Sequence, residues 1–330
     1  MTANNQCCPQ CQLQQYSYLP VRSSWARAAL VKAENDKHLE TIDRRTWYIL
    51  ARRELLHEEY RNVFHEFHED EETTDFIQQS QDKSDNFPLQ LMHSLTSSVL
   101  TFFMARTSGS NNFLQLKSVF FYSKEIIFLA NGLIGRGRMF VFSTAQFKTL
   151  LDLNENPSQS LSSLLDIGAG DGSITARMAG IFKQVYATEM SSIMQWRLSN
   201  YGYTVLDVDQ WGDLKFDVIT CLNVLDRCEK PLSLLKNIRE HLNPIGGCVI
   251  ISLVLPFKPY FEYNNDHNPN ESIRLNGQFA EEQINELIIQ VFRPLGFRLK
   301  KLARLPYLCE GDMDRSYYFL SDYIFVLELD

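Results

Sequence analysis

Three features of the chain predict an α/β fold with a Rossmann-like, mostly parallel sheet. The run Leu165-Asp166-Ile167-Gly168-Ala169-Gly170-Asp171-Gly172 is entered from an apolar stretch and followed by helix-compatible residues Ser173 to Ala179. A second strand, Gln184 to Glu189, ends on an acid about 20 residues after the first glycine, the spacing of a ribose-binding carboxylate. From there strands and helices alternate to the end of the chain, a pattern that builds a parallel sheet covered by helices on both faces.

Glycine is required in the first turn because the backbone must bend sharply and let a ligand press on main-chain N–H groups, where a Cβ would clash. The spacing is Asp-x-Gly-x-Gly-x-Gly. A dinucleotide fingerprint wants glycine or alanine at the sixth place of G-x-G-x-x-G, and here that place is Ser173, with Asp166 standing two before the first glycine. This favours S-adenosylmethionine over NAD, with Asp166, Gly168 and Gly170 forming the cofactor turn. Glu189 is expected to accept both ribose hydroxyls, but NAD enzymes share that acid, so it does not discriminate by itself. A solitary glycine-rich turn is commonly plain loop chemistry; strand, turn, helix, strand and acid in register outweigh that reading.

In chain order, residues 1–45 are polar and lack sustained periodicity, as in a disordered tail. Residues 46–150 read as an N-terminal helical cap. From Thr46 to about Asn86 the pattern is helical and acidic, and from Glu58 to Asp85 ten acids face only Arg61 and Lys83. A solvated helix face is the plain reading; an acidic rim for a cationic or histidine-rich partner is the sharper one. His65 and His68 stand at i, i+3 without a third ligand, the mark of surface residues rather than metal ligands. Leu89 to Met104 reads as an apolar helix packed on the later domain, and Ser143 as the N-cap of a helix through Leu151.

Residues 151–330 form the main domain. Its first strand ends at Asp166 and its second at Glu189; Thr204 to Val208 and Phe216 to Cys221 are the third and fourth. A helix follows from about Pro231, at a first-turn position that suits proline, to Leu242. Cys248 to Leu255 is β-branched and leucine-rich, as a strand buried on both faces should be. Phe279 to Phe292 is the next helix, and Arg298–Leu305 with Tyr323–Leu329 an antiparallel pair at the sheet edge. Five parallel units plus that pair give the seven-stranded order of class I S-adenosylmethionine-dependent methyltransferases. The site then lies at the carboxyl ends of strands one, two and four.

Composition narrows the function. The 330 residues are 45% hydrophobic, enough for a large core without staples. A net charge of −8 gives no general attraction to phosphate backbones, so nucleic acid is disfavoured as a partner. Of seven cysteines, Cys221, Cys228, Cys248 and Cys309 fall in or beside apolar segments, like reduced core thiols. The cluster Cys7-Cys8-x-x-Cys11 has no second C-x-x-C to complete a zinc site, so no metal is expected. The first twenty residues lack an apolar core, and the best span candidate, Phe113 to Ala130, is broken by Lys117, Lys124 and Glu125. The expectation is a monomer without a transmembrane span, in the cytoplasm.

After the fourth strand comes Cys221-Leu222-Asn223-Val224-Leu225-Asp226-Arg227-Cys228. Amino-methylating enzymes of nucleic acids commonly carry Asn or Asp, two prolines and an aromatic here, and this chain does not. Asn223 lies at the strand tip, where an amide can hold the methionine portion of the cofactor. Asp226 faces the substrate opening; a salt bridge with Arg227 or a helix cap are equally open readings from position alone.

That segment, with Leu253-Val254-Leu255-Pro256-Phe257-Lys258-Pro259-Tyr260, Arg304-Leu305-Pro306-Tyr307-Leu308-Cys309-Glu310-Gly311-Asp312-Met313, Gly135 to Ser143 and Asp166 to Gly172, resembles the DREV family, the methyltransferase-like 9 proteins. The likeness runs from about Trp47 to the C-terminus. Residues from about 109 to 130 look like an insertion, and the first 45 are unlike the family's hydrophobic leader. The resemblance implies a protein-histidine methyltransferase forming pros-(Nδ1)-methylhistidine in His-x-His segments of protein or peptide substrates, with x small. It implies that Glu189, Asn223 and Tyr307 contact the cofactor, that Asp166 and Gly168 belong to its turn, that Asp226 serves the target imidazole catalytically and in binding, and that Tyr318 lines the substrate wall. It also brings endoplasmic reticulum or mitochondrion into play as compartments. Two rival readings stand beside it: an N-methyltransferase of a small imidazole dipeptide, and a binding module that kept the fold without catalysis.

Overall fold

The computed structural model describes residues 52–53, 55–84, 138–153, 161–261, 267–310 and 316–330. The elements in order are α1 (Glu58–Arg61), β1 (Phe64–Glu66), α2 (Glu71–Ser84), β2 (Met139–Phe140), α3 (Thr144–Leu150), β3 (Leu161–Ile167), α4 (Ser173–Ala179), β4 (Phe182–Thr188), α5 (Ser192–Asn200), β5 (Thr204–Leu206), β6 (Val218–Leu222), α6 (Pro231–His241), β7 (Cys248–Val254), α7 (Ala280–Glu286), β8 (Phe297–Glu310) and β9 (Tyr317–Leu329).

One sheet of nine strands runs β1-β8-β9-β7-β6-β3-β4-β5, with β2 also on β8. Without β1 and β2, the order β5-β4-β3-β6-β7-β9-β8 is that of a class I methyltransferase, as expected from the sequence. Strands β3 to β7 are mutually parallel, and β9 enters antiparallel between β7 and β8. Period-two alternation splits the core between the faces. Leu165, Ile219, Val249 and Phe325 pack under α6 and α7 against Leu235, Ile238 and Ile284. Leu164, Val218, Ile250 and Ile324 pack on the other face against Phe147 and Leu150 of α3 and Met178 of α4. Truncating a fully buried member such as Phe325 to alanine costs about 3–5 kcal/mol.

Local chemistry sets the helix ends. Ser143 caps α3 in a reciprocal box: its hydroxyl accepts from Gln146 N at 3.1 Å and its own N–H donates to Gln146 Oε1 at 2.9 Å. Pro231 opens α6, where its missing N–H leaves no helical acceptor unpaired.

The N-terminal part departs from the helical pattern expected from Thr46 to about Asn86. Phe64-His65-Glu66 forms a parallel strand on β8, because Leu302 N donates to Val63 O at 3.0 Å and Phe67 N to Arg304 O at 3.0 Å, satisfying an edge that would otherwise stay open. His65 therefore lies in a strand and His68 beyond it, so their helical i, i+3 spacing is not realised; His68 O instead accepts from Gln146 Nε2. The helix expected over Phe279–Phe292 changes at Leu287 to a π-helical turn through Phe292. The Leu89–Met104 helix, the Phe113–Ala130 segment and Cys7, Cys8 and Cys11 lie outside the described residues. Among those described, no helix is long and apolar enough to cross a membrane. Cys221 and Cys248 are buried free thiols, and burial pushes Cys248 up to about 12.

Candidate active site

Order in the parallel sheet reverses at β3, which has β4 on one side and β6 on the other, so the loops after these strands diverge and open a crevice above their carboxyl ends. The turn after β3 is hung from β4. Gly168 N and Ala169 N both donate to Thr188 O at 3.0 Å, and Gly170 N donates to Glu189 Oε2 at 2.9 Å. Gly168 has φ +68, and a Cβ there would come 2.7 Å from Val224 Cγ2, so the first glycine is demanded by packing as well as by backbone conformation. Gly170, at φ +56, has nothing within 4 Å of a built Cβ. That open side is where a cofactor approaching the turn has room.

Glu189 is held more tightly than the sequence implies. Its Oε1 accepts from Met190 N at 2.8 Å and Ser191 N at 3.0 Å, besides the Gly170 bond to Oε2. A carboxylate offers about four lone-pair sites, which leaves about one, on Oε2, for a ribose hydroxyl. Asp166 lies beneath the turn instead of facing the crevice. It is buried, with Oδ2 accepting from Thr175 Oγ1 at 2.6 Å and Oδ1 from Thr220 Oγ1 at 2.7 Å, and burial raises its pKa to about 6. It ties β3 to β6 and α4, and reaches a ligand only through the turn it steadies.

A second group forms beyond β6. Asn223 sits at φ +55, a left-handed conformation that asparagine tolerates better than most residues, and its amide Nδ2 donates to Asp322 Oδ2 at 2.6 Å. Its Oδ1 is buried with no hydrogen-bond partner. Asp226 is 7% exposed; Arg227 Nε stands 3.2 Å from its Oδ2, whereas Oδ1 is buried and unpartnered. The ion pair considered from sequence therefore exists and still leaves one oxygen for another donor. Burial raises the Asp226 carboxyl, with Arg227 opposing.

Asp322 was not singled out from sequence. It is fully buried on β9, where burial and the nearby Asp226 charge raise its pKa to about 7 against the hydrogen bond from Asn223. An acid inside the strand Tyr317–Leu329, whose other acid, Glu328, lies next to its end, is the signal that marks it. Tyr307 faces the same cluster from β8: burial raises its hydroxyl pKa, with Asp322 and Asp226 adding to the shift, and its O–H donates to Met139 Sδ at 2.9 Å. Tyr318 is half-buried opposite Cys309. Thus Asn223, Asp226 and Tyr307 converge on Asp322, while Gly168, Gly170 and Glu189 line the turn. Among the described residues, no three His, Cys, Asp or Glu side chains are grouped to hold a metal.

The site fits the cofactor expected from the glycine turn. It offers a backbone bend open at Gly170, an acid with an acceptor position to spare, and a buried amide oxygen lacking a donor, suited to an ammonium group.

A sequence profile described as DREV methyltransferase matches residues 47–128 and 126–329. Similar solved structures include an S-adenosylmethionine-dependent methyltransferase from Clostridium acetobutylicum ATCC 824, at 17% identity over 57% of this chain and 92% of that one, with TM-score 0.39. The N-methyltransferase NodS from Bradyrhizobium japonicum WM9, in complex with S-adenosyl-l-homocysteine, matches at 15% identity over 56% and 86%, TM-score 0.36. Magnesium protoporphyrin IX methyltransferase from Synechocystis PCC 6803, with bound SAM, matches at 17% over 56% and 77%, also with TM-score 0.36.

Proposed function

The chain belongs to the DREV methyltransferase family, and on that footing we propose that it methylates Nδ1 of histidine in His-x-His segments of proteins, with x small. Its cofactor is S-adenosylmethionine. The observation that carries the histidine reading is Asp226: a nearly buried carboxylate with one oxygen held by Arg227 and the other without a donor.

When bound, the cofactor would supply a sulfonium methyl, whose carbon an acceptor lone pair can attack in line so that the N–CH3 bond forms as the S–CH3 bond breaks and the thioether leaves. Neutral imidazole carries such a pair on one nitrogen at a time. Asp226 Oδ1, accepting from Nε2–H, selects the tautomer whose Nδ1 is free and stabilises the positive ring that methylation creates. Arg227 opposes the upward push of burial on the Asp226 carboxyl. Asn223 Oδ1 accepts from the cofactor's ammonium, and Asp322 fixes the amide so that its oxygen faces that way. No strong base is needed, because an imidazole with a pKa near 6.5 is mostly neutral at pH 7.

The test is incubation with labelled S-adenosylmethionine, His-Ala-His peptides, a free imidazole dipeptide and a cell lysate, followed by mass spectrometry of the products. Label on Nδ1 of His-x-His peptides and proteins supports the reading. Label confined to other residue types, or to the dipeptide, overturns it.

A further inference from the structure

Strand β9 is longer than the strand beside it. β7 ends at Val254, opposite Asp322, so Tyr317 to Ser321 run on past the carboxyl end of the sheet with β8 as their only strand partner among the described residues. The hydrogen-bonding side of each peptide group follows from β8. Leu302 N donates to Val63 O, Arg304 O accepts from Phe67 N and Glu310 N donates to Arg138 O, so even-numbered β8 residues turn away from β9. Odd-numbered β8 residues, Tyr307 and Cys309 among them, therefore bond β9 through their partners Leu320 and Tyr318. Pro306, which has no N–H, accordingly stands on the side away from β9. By the same alternation the backbone N–H and C=O groups of Tyr317, Phe319 and Ser321 face the gap above the end of β7. No backbone partner for them occurs among the described residues.

The far side of that gap is the substrate end of the site. Next to β7 is β6, whose chain continues into Asn223 and Asp226, while Asp322 at the root of the overhang is bound to Asn223 at 2.6 Å. One strand's width, about 4.8 Å, separates neighbours in a sheet. We propose that the substrate peptide binds as an added strand on the Tyr317–Ser321 edge, between that edge and Asp226. This rests on the histidine reading above and deepens it. A strand has a side-chain period of two, so both histidines of His-x-His face one side of the added strand and the middle side chain the other. Main-chain bonds to Phe319 and Ser321 supply affinity without reading sequence, and Asp226 selects the imidazole.

The test uses the full chain and a set of His-Ala-His peptides N-methylated at one backbone nitrogen each, which removes a donor and leaves the imidazoles intact. Alternating positions should show about a tenfold or larger rise in KM with kcat preserved, and the positions between them little change. Phe319→Pro removes an outward N–H without touching the β8 ladder. It should raise KM for the unmodified peptide by a similar factor while calorimetric affinity for S-adenosylhomocysteine stays unchanged. Uniform tolerance or uniform loss along the N-methyl series overturns strand addition, whatever the variant does. Absence of histidine methylation in every peptide, the unmodified one included, overturns the histidine reading and the proposal with it.

Discussion

Asn223 and Asp322 are joined at 2.6 Å across two strands that are not neighbours, β6 and β9, with β7 between them. The bond reaches over the end of β7 and sets the amide at the strand tip. Its acceptor is a fully buried carboxyl with a pKa of about 7, against about 3.9 in an unfolded chain. A carboxyl raised on folding stabilises the protein most below the unfolded value, and this contribution fades as pH rises to about 7.

Asp322→Asn lacks that titration. The wild type should therefore lose stability relative to the variant between pH 4.5 and pH 8, by on the order of 1 kcal/mol or more. Thermal unfolding of both proteins at the two pH values checks this; a difference in Tm that does not move with pH contradicts it.

Asp226→Asn should bind S-adenosylhomocysteine within a few-fold of wild type and transfer methyl to a His-Ala-His peptide at least about 100-fold more slowly, because the amide no longer offers a charge to the cationic ring. Calorimetry and single-turnover rates separate the two quantities. A variant with normal turnover removes Asp226 from the chemistry.

Arg227→Gln should move the acid limb of the rate profile to higher pH. Burial already raises the Asp226 carboxyl and Arg227 is the principal opposing influence, so its loss lets protonation begin at higher pH. The expected signature is a greater fall in kcat/KM at pH 6 than at pH 8; an unshifted limb shows that Asp226 does not limit the rate.

The two turn glycines should fail differently. Gly168→Ala forces a Cβ to 2.7 Å from Val224 and should destabilise the fold by several kcal/mol, whereas Gly170→Ala meets no atom and carries only the left-handed backbone penalty of about 1–2 kcal/mol. Gly170→Ala should nevertheless weaken cofactor affinity at least tenfold, since its methyl enters the open side of the bend. Melting curves beside calorimetry test the pair, and cofactor affinity intact in Gly170→Ala would falsify the assignment of that side.

The parts legible in the sequence were those whose physics is local. The glycine bend, the Ser143 cap, Pro231 and the β-branched run Cys248–Leu255 declare themselves through conformation or period. β1 and β2 do not: three and two residues are too few for a period, and they become strands because β8 presents unpaired groups. The site divided in the same way. Asn223 and Asp226 are marked by their place after a strand, and Asp166 by its place before the cofactor turn, but the two threonine hydroxyls that occupy its oxygens, one of them 54 residues away, are not legible locally. Asp322 was passed over because its partner lies 99 residues distant.

Val224 lies over the bare Cα of Gly168, two residues ahead of Asp226. The glycine turn and the segment carrying Asp226, to which the proposed reaction assigns donor and acceptor, are consequently mounted on one pivot. Enlarging residue 224 should therefore misalign donor and acceptor together, showing itself as sluggish turnover even when every site is saturated.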